Sequence, residues 1–185
     1  QNVDLIIGSN NDEWSLYFDG SVNIGLWLDQ ETTPEKKIKL LELLDDIKDP
    51  VRKMDLLITA KNFVCPSLFM ADELGKKGGK TWVYQFNRVR DDKLAKKYGA
   101  FHGAELPYVF DTHDEWLPTN KKDRELTREI QSYWLSFAKT GNPNNGDAVT
   151  WPEYDSNNDP TLVLDDEIYQ RNHESSEICK IMDLF

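Results

Sequence analysis

The stretch IIGSNNDEWSLYF, residues 6–18, decides how this chain is read. With the residues just before it, it begins VDLIIGS, a short and nearly continuous apolar run closed by Gly8-Ser9-Asn10. A run of that length bounded by turn formers predicts a buried strand that ends in a loop. Glu13 therefore falls just past the C-terminal end of a strand. Open α/β sheets build their sites at that end.

A second stretch, YGAFHGAELPYVF at residues 98–110, sets His102 beside Gly103 and runs on into Glu105 and an apolar segment. It too follows a strand signal, TWVYQFN at 81–87, rich in aromatic and β-branched residues, with Val83 and Phe86 as expected core. A core histidine has no need of neighbouring glycines, whereas one presenting its imidazole to a reacting group does. Imidazole can take a proton from a weak nucleophile near neutral pH and return it to a leaving group. One ring nitrogen must then be free and the other held, usually by a buried carboxylate. Glu13 is the candidate holder. Taken singly, each of the two residues also reads as an ordinary structural side chain.

The nucleophile is missing from this reading. No GxSxG occurs in the 185 residues, and neither Cys65 nor Cys179 sits in a supporting motif. Where the chain order is nucleophile, acid, histidine, an acid at Glu13 puts the serine upstream of Gln1. The expectation is an upstream polypeptide that carries it, something preceding Gln1 having been removed.

Composition narrows the alternatives. The chain is 39% hydrophobic and 11% aromatic, with six tryptophans, enough for a packed core. Its length predicts about one domain or a piece of a larger one. A net charge of −11 argues against a phosphate-binding face and hence against nucleic acid. No uninterrupted apolar run reaches the roughly 18 residues of a membrane span. There is no CxxC and no Cys/His cluster, so neither a zinc site nor a cofactor is expected. The two cysteines read equally well as free buried thiols or as one long-range disulfide.

Helical patterns fill the intervals. TPEKKIKLLELLDDIKD (33–49) places Leu40, Leu41, Leu44 and Ile47 on one face behind a first-turn Pro34. Residues 51–80 read as two helices broken near Pro66. DRELTREIQSYWLSFAKTGNPN (123–144) repeats Leu126, Ile130, Tyr133, Trp134 and Phe137 at helical spacing, with Gly141 and Pro143 as a stop signal. LYFDGSVNIGLWLDQ (16–30) reads as irregular, Thr161–Leu164 as a short strand, and SSEICKIMDLF as a terminal helix.

The ordered landmarks IIGSNNDEWSLYF, FVCPSLFMADEL, TWVYQFN, GAFHGAELPYVF, YWLSFAKTGNPN and WPEYD resemble the C-terminal third of a type-B carboxylesterase. That family includes bacterial para-nitrobenzyl esterases and the cholinesterases. The resemblance spans almost the whole chain. It implies an α/β class, with residues 1–185 forming the C-terminal part of a single α/β-hydrolase domain. The last sheet strands and their flanking helices would be present, and the fold would be incomplete on its own.

Carried over by residue, the family's acid falls on Glu13 and its histidine on His102, with Glu105 as supporting structure. The implied chemistry is hydrolysis of a small-molecule carboxylic ester by a Ser-His-Glu triad. Leu16 and Tyr17 occupy positions that are aromatic in cholinesterases and line the acyl pocket. Leu16 lacks the π face that a quaternary ammonium prefers, which points to a general carboxylesterase. Trp14 stands where the family commonly has glycine. In cholinesterases a disulfide joins the cysteine of the CP segment to one in the C-terminal helix, and Cys65 and Cys179 occupy the matching places. Such a bridge would favour a secreted or periplasmic location, and its absence a cytoplasmic one. The competing reading is a non-catalytic interaction module on the same fold, against which the retention of both Glu13 and His102 argues. An autonomous helix-rich domain would leave the strands with unpaired edges.

Overall fold

The computed structural model describes residues 2–115, 118–146 and 148–184. The chain opens with β1 (Leu5–Asn10), followed by α1 (Ile24–Glu31), α2 (Pro34–Leu43), α3 (Pro50–Thr59), a π-helical turn (Ala60–Val64) and α4 (Cys65–Lys76). Next come β2 (Thr81–Phe86), α5 (Lys93–Tyr98), α6 (Leu106–Phe110) and α7 (Lys121–Thr140). β3 (Pro160–Leu164), β4 (Tyr169–Asn172) and α8 (Ser176–Met182) close it.

The four strands form one sheet in chain order. β1 and β2 pair in parallel from Leu5 opposite Thr81 to Asn10 opposite Phe86. β3 continues the parallel set on β2, and β4 turns back antiparallel on β3. Successive residues of a strand face opposite sides, so Trp82 and Val83 enter different cores. Val83 packs with Leu28, Leu57, Val64, Cys65, Leu68 and Ile178. On the other face Trp82 packs with Phe86, Tyr108, Ile130, Tyr133, Trp151 and Leu162. The parallel pair ends with Asn10 and Phe86 side by side, which brings the loops after both strands to the same edge.

α7 is the helix its periodicity predicts. Asn120 and Asp123 form a reciprocal capping box at its start, and Gly141 ends it at φ 75°. Leu126, Ile130 and Tyr133 are buried, with Trp134 and Phe137 packed beside them.

Several expectations need correction. The two helices expected across residues 51–80 are present as α3 and α4, with Cys65 at the start of the second, but their junction near Pro66 is the π turn rather than a break. Pro66 lies in the first turn of α4, directly after the π turn that joins α4 to α3. The resulting 27 helical residues, Pro50–Lys76, suffice by length and composition to cross a membrane, but Met54, Leu57, Ala60, Val64, Cys65, Leu68 and Ala71 are buried in the protein. Residues 24–31, read as irregular, form α1, because Asn23 caps the Leu26 N–H and Leu28 is drawn into the core. Leu41 is exposed, since α2 ends at Leu43, while Leu40 and Leu44 are buried and Ile47 packs against the same core. β4, α5 and α6 carried no strong pattern and were not expected.

Candidate active site

Glu13 lies three residues beyond β1, at the edge where β1 and β2 end. Its side chain is only 6% exposed. Oε1 accepts the Asn10 backbone N–H at 2.7 Å, so the carboxylate folds back over the last strand residue. Oε2 lies 2.6 Å from His102 Nδ1. Nδ1 must therefore be the protonated nitrogen of the neutral imidazole, since a carboxylate only accepts. Nε2 keeps its lone pair and bonds to nothing among the described residues. The imidazole is 52% exposed and directs that nitrogen away from Glu13. Burial pushes the Glu13 carboxyl above its usual range, while the Asn10 N–H and His102 pull it back.

The two loops are joined by more than this pair. The Asp12 N–H donates to Ala100 O at 3.1 Å, and the Ala100 N–H donates to Asp12 Oδ2 at 2.9 Å. Ser15 Oγ donates to Tyr98 O at 2.6 Å. Asn10 Nδ2 donates both to Phe101 O, at 2.8 Å, and to Glu105 Oε2. Glu105 thus ties the end of β1 to the start of α6. Gly99 sits at φ 70°, and a Cβ there would come within 2.4 Å of Asp12 Oδ2. Both the backbone sign and the close approach require glycine. Gly103, at φ 82°, turns the chain immediately after the histidine.

Leu16 and Tyr17 lie in the 3₁₀ turn Ser15–Tyr17. Leu16 is half-buried and Tyr17 exposed. The Tyr17 ring lies 4.8 Å from Trp14, Trp14 lies 6.4 Å from Phe63, and Phe63 lies 5.6 Å from the His102 ring. Phe63 belongs to the π turn, which aims this side of the long helix at the histidine. Nothing in the sequence pattern marked that turn, so Phe63 was missed. Trp14 occupies its unusual position by joining the same aromatic series. Cys65, two residues after Phe63, is bridged to Cys179 of α8, with Cα atoms 5.4 Å apart. Among the described residues no cluster of three or more His, Cys, Asp or Glu could hold a metal.

This arrangement can accept a proton at Nε2 and hold the resulting imidazolium against a buried carboxylate. The Carboxylesterase family model matches residues 1–182. The para-nitrobenzyl esterase of Bacillus subtilis is 32% identical over 183 residues, covering 95% of this chain and 37% of that protein. The acetylcholinesterase of Gallus gallus is 35% identical over 133 residues, covering 69% of this chain and 15% of that protein. The solved structure of a thermophilic PNB esterase superposes with a TM-score of 0.75 at 29% identity, over 97% of this chain and 38% of its own.

Proposed function

This chain belongs to the carboxylesterase family and has its α/β-hydrolase fold, and we propose that it supplies the acid and the base of a serine-type carboxylic ester hydrolase. The observation that supports this most directly is the pairing of His102 Nδ1 with the buried Glu13, Nε2 being left unbonded. The chain spans a little over a third of the para-nitrobenzyl esterases it matches. The serine and the donors for the oxyanion are assigned to polypeptide outside these 185 residues.

In the proposed cycle the serine oxygen bonds to the ester carbonyl carbon as Nε2 takes the hydroxyl proton. Glu13 stabilises the imidazolium and keeps the ring in the Nδ1–H tautomer. The collapsing intermediate breaks its bond to the alcohol oxygen, which receives the proton from Nε2. Water then repeats the sequence on the acyl-enzyme, giving the carboxylic acid and regenerating the serine. Leu16 and Tyr17, continued by Trp14 and Phe63, are proposed to shape the acyl or alcohol side of the pocket. The Cys65–Cys179 bridge is proposed to form in an oxidising, secreted or periplasmic compartment, and labelling of both thiols in denatured, unreduced protein would overturn that.

The function is tested with a p-nitrophenyl carboxylic ester. The serine-bearing protein is expected to release p-nitrophenol in a burst followed by steady turnover, and the 185-residue chain alone to release none. A serine-bearing protein with no turnover would point to the non-catalytic interaction module, and robust turnover by the isolated chain would refute the division of the triad.

A further inference from the structure

We infer that Arg52 and Asp55, on α3, form a positioning clamp that sets the geometry of the Glu13–His102 pair. This inference rests on the reading of that pair as the acid and base. The clamp grips the acid loop on both sides of Glu13. Asp55 Oδ1 accepts the Trp14 backbone N–H at 2.9 Å, one residue after the acid. Arg52 Nη1 donates to Asp12 Oδ1, one residue before the acid, and to Asn11 O at 3.3 Å. The same nitrogen donates to Asp55 Oδ2 at 2.9 Å, which closes the loop between the two grips. Asp12 then hands the constraint to the histidine side, through its Oδ2 and the Ala100 N–H, two residues before His102.

The Asp55 side chain is 2% exposed, and burial raises its pKa, opposed chiefly by Arg52. A buried carboxylate is costly unless it is paired and hydrogen-bonded. Here both of its oxygens are spent on the acid loop and on the cation that holds that loop. The backbone on either side of Glu13 is consequently fixed, and its carboxylate has one direction in which to meet Nδ1. Among the described residues neither Arg52 nor Asp55 hydrogen-bonds to Glu13 or His102, and the Asp55 carboxylate meets Glu13 only as a nearby like charge, so the two act chiefly through Asp12 and Trp14 and are positioning residues.

The test is a set of substitutions in the serine-bearing protein, Arg52→Met, Arg52→Lys and Asp55→Asn, with and without Glu13→Gln. Arg52 is partly exposed and Asp55→Asn is isosteric, so both variants are expected to fold. Arg52→Met and Asp55→Asn are expected to lower kcat on the order of 10- to 100-fold with KM little changed, and Arg52→Lys to restore most of the loss. In the Glu13→Gln background the same substitutions are expected to cost almost nothing more, because they act through Glu13. Imidazole ¹⁵N signals give a readout independent of turnover. His102 is expected to show the Nδ1–H tautomer in the wild type and a mixture of tautomers in Arg52→Met. Wild-type kcat in Arg52→Met, losses that multiply with that of Glu13→Gln, or an unchanged His102 tautomer would each overturn the clamp. Absence of ester turnover in the wild type would overturn the proposed function instead, and the nitrogen signals would still decide on the clamp.

Discussion

The loop at His102 leaves its imidazole half open to solvent, whereas the turn at His173 buries its ring almost completely. His102 meets a buried carboxylate through Nδ1 and offers Nε2 outward. His173 uses Nδ1 to accept the Ser175 backbone N–H at 3.2 Å, and among the described residues no carboxylate pairs with its ring. Burial and the nearby Arg171 push its pKa down to about 4. His113 is intermediate: it is half-buried, Nε2 lies 2.6 Å from Thr127 Oγ1, and the ring stands edge-on to Tyr108. Burial lowers its pKa as well. One residue type thus does two jobs. His113 and His173 are pushed toward the neutral form by their surroundings, while His102, the proposed proton carrier, is left wet on one side and backed by a carboxylate on the other.

The sharpest way to break this contrast is to remove each ring in turn. In the serine-bearing protein, His102→Ala is expected to cut kcat by roughly 10⁴- to 10⁶-fold. His113→Gln is expected to leave kcat within a few-fold of wild type. Equal losses in the two variants would erase the distinction. Glu13→Gln is expected to cost about 10⁴-fold. An amide that keeps the Asn10 contact through its oxygen presents N–H to Nδ1, which turns the imidazole to the wrong tautomer. Hydrolysis near the wild-type rate would remove Glu13 from the mechanism.

A smaller effect separates the two loops by how they are built. The His102 loop depends on a backbone approach that only glycine allows, since Gly99 has a positive φ and lies against the Asp12 carboxylate. Gly99→Ala is expected to destabilise the fold by about 2–5 kcal/mol, from backbone strain together with the displaced Asp12. Urea denaturation measures the loss, and a midpoint equal to that of the wild type would mean that the loop has room to relax.

Much of this architecture was legible in the sequence. β1, β2 and β3 announce themselves as short apolar runs between turn formers, and α7 by its helical repeat and its glycine stop. A carboxylate just past one strand and a histidine–glycine pair after another pointed to Glu13 and His102 as a candidate pair, although each residue taken singly also read as an ordinary structural side chain. β4 was not legible, because YQRN at its exposed edge has no alternating pattern. The π turn was hidden because Pro66 signals a helix start as readily as a helix break, and only the path of the long helix across the sheet decides which. Arg52 and Asp55 are visible as an ion pair one helical turn apart. Their grip on residues 11–14 is a tertiary contact that no local spacing encodes.

The least of the expected effects concerns His173 and the pH dependence of stability. Its folded pKa of about 4 lies below the ordinary value of 6.5. As pH falls through about 6.5, the unfolded imidazole takes up a proton while the folded one does not. The unfolded state then binds more protons, so stability is complete above that pH and is lost progressively down to about pH 4. The full shift corresponds to about 3 kcal/mol or slightly more, of which about 2–3 kcal/mol is expressed by pH 4.5. Glu13 and Asp55 work with the opposite sign, because a raised pKa makes their burial less costly as the pH drops, and His113 works with the same sign as His173, so wild-type data alone mix these contributions. His173→Asn separates them. The Asn oxygen can still accept the Ser175 N–H, but the side chain no longer titrates. Urea denaturation at pH 7.5 and pH 4.5 is expected to show the wild type losing about 2–3 kcal/mol more than the variant. Equal losses would mean that the His173 ring takes up its proton in the folded state as easily as in the unfolded chain.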